Sequence, residues 1–304
     1  MIDTQEVDGK PERITVAWWN TSLAPSGKSR GCDELKRNAV SVIAHLLFTA
    51  QADFIALGEI SEEDFHHLKS EPTLEDFEFF SGVSKAGRSK FDICYIFKPD
   101  KLAIVDFENV TSARGNGVLK VAQRIDLVDK TSGTPFRIFA SHWPSRLWCD
   151  ENHADRHVLG IRLRDAVDAI LKDSESPPYI ILLGDYNDEP FAKSLSEQLM
   201  ATRDIDLVHK KNHLFYNPYW GYIGKRGNEI SGATGSYFYR GGTNNRWHTF
   251  DQIIYSHAFI KAKTWRLAEN NSHISEIPGL LDLVISPDSK FDHIPVCGII
   301  ERVI

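Results

Sequence analysis

The stretch PYIILLGDYND, Pro178–Asp188, joins an apolar run to a cluster of acids and an amide. Ile180, Ile181, Leu182 and Leu183 have the length and branching of a strand buried on both faces. Gly184 stops the run and delivers Asp185, Asn187 and Asp188 to its end. In α/β proteins that end is where ligands bind, because the core supplies rigidity and the loops supply chemistry. Read alone, Gly-Asp-Tyr-Asn-Asp is an ordinary turn. The functional reading gains weight because four other apolar strands also end in acid, amide or imidazole groups.

Ile14–Trp19 reads as a strand ending at Asn20. After the loop TSLAPSGKSRGC, Asp33 is expected to cap a helix to about Ala50, with Leu35, Ala39, Val42, Ile43, Leu46 and Leu47 on one face. Asp53–Leu57 is a second strand, leading through Gly58 to Glu59. Ser61-Glu62-Glu63-Asp64 has the form of a capping box. Strands over Phe91–Phe97, Leu102–Phe107, Leu119–Leu127 and Phe136–Ala140, separated by turn residues, predict a meander. The last runs into Ser141-His142-Trp143-Pro144-Ser145-Arg146. A helix over His157–Leu171 precedes the central strand, and another is expected to start near Pro190. Residues 204–249, rich in Gly, Asn, Tyr and Trp, are expected to fold over the active face. Phe250–Ser256 is a further strand carrying Asp251, and the chain closes with Asp292-His293-Ile294-Pro295 and an apolar strand to Ile300.

Composition bounds what this can be. The 304 residues are 42% hydrophobic and 25% charged, as in ordinary soluble domains. Residues 1–12 read as a polar lead-in and 13–304 as a single domain. No apolar run is long enough to span a membrane, and the polar start resembles no secretory signal. The four cysteines are dispersed without a CxxC pair, so reduced thiols and a cytoplasmic location are expected. A monomer is expected. The net charge of -7 and pI near 5.9 argue against coating nucleic acid by bulk charge but leave room for local basic patches.

The chemistry comes from the set. Asn20, Glu59, Asp185, Asn187 and Asp292 offer the hard oxygen donors that Mg²⁺ or Mn²⁺ prefers, and no Cys/His cluster points to zinc. His142 and His293 supply imidazole, and Asp251 suits a carboxylate that orients a histidine. Such a kit hydrolyses phosphoesters.

Trp19-Asn20, Leu57-Gly58-Glu59, Ser141-His142-Trp143-Pro144-Ser145, Gly184-Asp185-Tyr186-Asn187-Asp188, Phe250-Asp251-Gln252-Ile253 and Asp292-His293-Ile294-Pro295 resemble, in order, the motifs of the endonuclease/exonuclease/phosphatase superfamily. They span nearly the whole chain; each is weak alone and the ordered set is specific. The resemblance implies a DNase I-like four-layer α/β sandwich, two packed mixed sheets flanked by helices. It implies Glu59 as main metal ligand with Asn20 and Asp292 near the metal, and His142 on the phosphate. Asp185 would assist proton transfer to the leaving group, Asn187 would orient substrate or water, and Asp251 would hold His293 against the water or phosphate. Arg124 loosely matches a phosphate-contacting arginine. The residue before the terminal Asp-His is usually Ser and here is Phe291, which puts the surroundings of Asp292 in question. The inositol-phosphatase signature is absent.

A nuclease acting on DNA or RNA is therefore the first reading. Basic loop residues, Lys85, Arg88, Lys90, Arg114, Lys120, Lys225, Arg226, Arg240 and Arg246, would flank the cleft. Arg226 and Arg246, among the aromatics of 215–247, are the expected substrate contacts of a lid. A phosphoesterase of small molecules or lipid head groups is the second reading, favoured by the acidic charge and the aromatic lid. A non-catalytic module on an inherited fold is the third.

Overall fold

The computed structural model describes residues 11–25, 32–224, 232–268 and 272–303. Two large mixed sheets lie face to face. The first orders its strands Trp265–Leu267, Val296–Arg302, Arg13–Asn20, Phe54–Gly58, Cys94–Phe97 and Glu78–Ser81, with His273–Ile274 also pairing Val296–Arg302. The second runs Ala201–Thr202, Phe215–Tyr216, Asp251–Ser256, Tyr179–Asp185, Pro135–His142, Gly117–Asp129 and Leu102–Arg114. Each sheet has a parallel pair at its centre with an antiparallel strand beside it: Arg13–Asn20 between Phe54–Gly58 and Val296–Arg302, and Tyr179–Asp185 between Pro135–His142 and Asp251–Ser256.

Alternation along the strands builds the layers. Ile14, Val16 and Trp18 face Ile181, Leu183, Ile253 and Tyr255 across the middle of the sandwich. Ala17 and Trp19 point outward to Leu35, Ala39, Val42 and Ile43 of helix Asp33–Ala44. Ile180 and Leu182 point to Leu159, Leu163 and Val167 of helix Ala154–Asp173 on the opposite side. A strand with two apolar faces needs a cover on each, which gives helix, sheet, sheet, helix. The four-layer sandwich expected from the motifs is the fold observed.

Local signals compare unevenly with it. The Ser61–Asp64 capping box forms with both reciprocal bonds. Asp33 is not the cap of its helix: Cys32 occupies that position, and the helix ends at Ala44, continued by one wider turn to Thr49. The meander strands run far past their expected ends into a hairpin whose tip is Gly115, at φ +58. Leu102–Arg114 is an edge strand with mostly exposed side chains, so hydrophobic alternation could not mark its length. Near Pro190, where a helix was expected to start, only one wide helical turn forms, Ser194–Gln198. Asp188 accepts from Ser194 Oγ, and Glu189 holds His248 Nδ1 and Thr249 N, so the segment is tied to the active face.

Candidate active site

The strand register assembles the site. Asp185 lies opposite His142 on one side and Asp251 on the other, while Asn20 lies opposite Gly58, just before Glu59. The crowded point is Gly184, at φ +155, where an added Cβ would stand 2.0 Å from Ser141 O. Only glycine lets the two parallel strands keep this register to their ends. Ser22, Glu59 and Asn187 all adopt left-handed backbone conformations, φ 55, 53 and 50. Strained non-glycine residues of this kind cluster where function demands a fixed direction.

Asp251, His293 and Asp185 form a buried row. His293 Nδ1 lies 2.7 Å from Asp251 Oδ2, and Trp18 Nε1 donates to Asp251 Oδ1 at 2.8 Å from the other sheet. Ser236 Oγ accepts from Asp251 N. On its other side, His293 Nε2 lies 3.7 Å from Asp185 and 3.9 Å from Asp292. Burial pulls the His293 pKa down, but Asp251, Asp185 and Asp292 outweigh it and push it up to about 10. Burial pushes the Asp185 carboxyl up, and Asp251 adds to it against the pull of His293 and His142.

Asn187 N donates to Asp185 Oδ1 at 2.8 Å, and Asn187 Nδ2 to Trp143 O at 3.0 Å. Asp185 Oδ2 faces Asn20 Nδ2 at 3.2 Å, and the same amide nitrogen lies 3.3 Å from Glu59 Oε1. Ser22 Oγ donates to Asp292 Oδ1 at 2.9 Å. The departure at Phe291 thus leaves a hydroxyl on Asp292, supplied by Ser22. Phe291 itself is buried and stacks on Trp19 with centroids 5.7 Å apart.

His142 sits on the far side of Glu59, with Nε2 4.0 Å from Glu59 Oε1. Its Nδ1 lies 3.0 Å from Asp92 Oδ2, and Lys120 Nζ donates to Asp92 Oδ1 at 3.2 Å. Burial would raise the Asp92 carboxyl, but His142 and Lys120 hold it well below the usual range. Burial lowers His142, and Asp92 more than reverses that. Asp92 was missed in the sequence, although an acid inside the apolar run Phe91–Phe97 is itself a signal for a buried partner. Trp18, Ser22 and Ser236 were missed as well, and nothing in their local sequence marks them.

The expected substrate contacts fare differently. Arg124 is engaged by Asp106, Glu108 and Asp126 and pairs in register with Phe139, three residues before His142. Those carboxylates engage its guanidinium on an outer face, an arrangement that does not favour the clamp reading. Arg240 donates to Ser286 O, Val284 O and Phe291 O, which makes it a brace rather than a cleft cation. Arg246 lies over Phe238, 4.3 Å from the ring centroid. Lys225 and Arg226 lie outside the described residues. Among the described residues of the expected lid, Tyr237 brings its ring 4.7 Å from His293 and stacks on Phe250. His248 stacks on Phe250 in turn.

Metal fit can be judged from the donors. Asp185, Asp251 and His293 bring ligand-capable atoms within 4.8 Å of one another, a group able to hold a metal ion. Asp251 already spends its oxygens on His293 and Trp18, so this trio also works as a proton-handling row. Glu59 and Asp292 are partly exposed carboxylates beside Asn20, hard donors next to a buried acid. A divalent cation suits that surplus of negative charge.

A sandwich of two mixed sheets with carboxylates and imidazoles gathered at the strand ends defines a DNase I-like phosphoesterase. Consistent with that, the model of the Endonuclease/Exonuclease/phosphatase family matches residues 23–282, and the chain belongs to this family. The fold is similar to the human Nocturnin catalytic domain with bound sulfate, at TM-score 0.61 and 17% identity over 96% of this chain and 95% of that one. It is similar to D. rerio TDP2 complexed with single strand DNA product, at TM-score 0.60 and 14% identity over 95% and 99%. A Bacteroides thetaiotaomicron mannosyl-6-phosphatase superposes at TM-score 0.57 with 15% identity, over 96% and 100%. No curated protein sequence matches the chain. Among the described residues, no helix is long and apolar enough to cross a membrane.

Proposed function

We propose that the protein is a divalent-metal-dependent phosphodiester hydrolase, and specifically a nuclease. The observation that carries this reading is the row Asp251–His293–Asp185 set against Glu59, Asn20 and Asp292, with His142 beyond. Glu59, Asn20 and Asp292 would hold Mg²⁺ or Mn²⁺, which when bound supplies positive charge to a phosphoryl oxygen and acidity to water. His142, whose pKa Asp92 raises, and Lys120, which also bonds Asp92, would bind phosphate oxygens. His293 faces three carboxylates and holds its proton near neutral pH, so it donates to the phosphate rather than removing a proton from water. Asp185, raised by burial and oriented by Asn187 N, is suited to pass a proton to the leaving oxygen.

The test is a substrate panel. Purified protein with Mg²⁺ or Mn²⁺ is expected to cleave labelled single- or double-stranded DNA or RNA, and EDTA is expected to stop it. Turnover of small phosphoesters with no cleavage of any polynucleotide would replace the nuclease reading with the second one. The stacked rings of Tyr237, Phe250 and His248 beside His293 and the net charge of -7 favour that second reading.

A further inference from the structure

The rim beside His142 carries two apolar side chains that the fold leaves bare. Leu147 is 81% exposed and Trp148 86% exposed, yet the backbone under them is tightly held. Trp148 N and Cys149 N donate to Ser145 O at 3.1 and 3.0 Å. Arg156, itself buried, donates to Pro144 O at 3.0 Å and to Cys149 O and Asp150 O. Arg146 turns inward, with Nε bonded to Asn187 O at 3.0 Å and its guanidinium over the Phe250 ring. Cys149 is buried. The neighbours on both sides therefore turn in while Leu147 and Trp148 turn out. A fixed loop that presents an indole to water next to a catalytic centre is arranged for contact.

The surroundings indicate what is contacted. The rim continues through His153, whose ring accepts from Asp155 N, to Arg114, whose Nε donates to Asp155 at 2.7 Å. The hairpin tip at Arg114 adjoins Val118, against which the turn at Gly87 closely packs. That turn's hairpin displays Lys85, Arg88 and Lys90, all exposed. Of the acids just after Trp148, Asp150 accepts from Asn152 N at 2.9 Å and Glu151 lies 3.6 Å from the Arg146 guanidinium. An exposed aromatic face with cations farther along one rim matches a strand that offers flat bases and a phosphate chain. A bilayer would call for a broader apolar surface.

We propose that Trp148 is a stacking platform for an unpaired base of a single-stranded nucleic acid, with Lys85, Arg88 and Lys90 holding phosphates along the same rim. This rests on the nuclease reading above and goes beyond it by naming the strandedness and the contact. The experiment is steady-state cleavage of a labelled single-stranded oligonucleotide, as DNA and as RNA, by wild type and by Trp148→Ala, Trp148→Leu and Trp148→Phe. The side chain is exposed, so all three should fold, and melting curves check that they do. The expected result is a KM about tenfold higher for Ala and for Leu, the scale of one base–aromatic stack. Phe should keep the wild-type KM, with the loss in KM rather than kcat. If Leu serves as well as Phe, or Ala leaves KM unchanged in an enzyme that cleaves the oligonucleotide, the platform is refuted and the nuclease reading stands. If wild type cleaves no oligonucleotide but turns over a small phosphoester, both readings fall. Binding to phosphatidylcholine vesicles that Ala abolishes and Leu preserves would likewise refute stacking, in favour of a membrane contact.

Discussion

His293 is held between Asp251 at 2.7 Å and the carboxylates of Asp185 and Asp292, and its charge links the site to stability. Its folded pKa, about 10, lies above the ordinary 6.5. A raised histidine stabilises the fold fully below 6.5, and that contribution is lost as pH rises through about 10. In EDTA, urea-unfolding stability should therefore fall between pH 6.5 and 10, and Asp251→Asn should flatten that part of the profile. Equal slopes in the two proteins would show that the pair is not charged as described. For catalysis, Asp185→Asn and His293→Ala are each expected to cut kcat by at least about 10²-fold, the usual scale of acid–base groups. A near-wild-type rate in either folded variant would remove that residue from the mechanism. Asp185, Asn20 and Glu59 were legible because each closes an apolar strand, and His293 because it leads into one. Asp92, Trp18 and Ser22 bond His142, Asp251 and Asp292 across long sequence separations, and a chain read locally does not say which residues such pairings join.

At the scale of elements, the strand ends and the loops after them set the geometry. Gly184→Ala places a methyl group 2.0 Å from Ser141 O at a φ of +155, so the two parallel strands must part where they deliver Asp185 and His142. It should cost at least about 2 kcal/mol, in the upper range for single substitutions, and lower kcat without touching a catalytic group. An unchanged urea midpoint and rate would mean the strand ends tolerate the shift. The central strands were legible because burial on both faces writes them as continuous apolar runs. The long edge strand Leu102–Arg114 was not, since exposed side chains on it mix polar residues with Val105 and Ala113 and leave no clean alternation. The segment after Pro190 carried a helix-start signal, but Glu189 and Asp188 are spent on tertiary bonds that local propensity does not register.

Across the whole molecule, two sheets with similar centres bring their strand ends to one place, and neither holds the site alone. Trp18 of the first sheet supports Asp251 of the second, and Asn20 of the first lies between Glu59 and Asp185. Their ordered motifs made the sandwich legible from sequence. The rim around the site was less so, because Arg124 and Arg240 proved to be spent within the protein. What the assembled acids do is measured most directly by the Mg²⁺ dependence of phosphodiester hydrolysis by wild type and Glu59→Gln. Wild type should be silent in EDTA and recover with Mg²⁺ or Mn²⁺, while Glu59→Gln should need at least about tenfold more metal for half its maximal rate. Full wild-type activity in chelator, with no tightly held metal detected, would contradict the account.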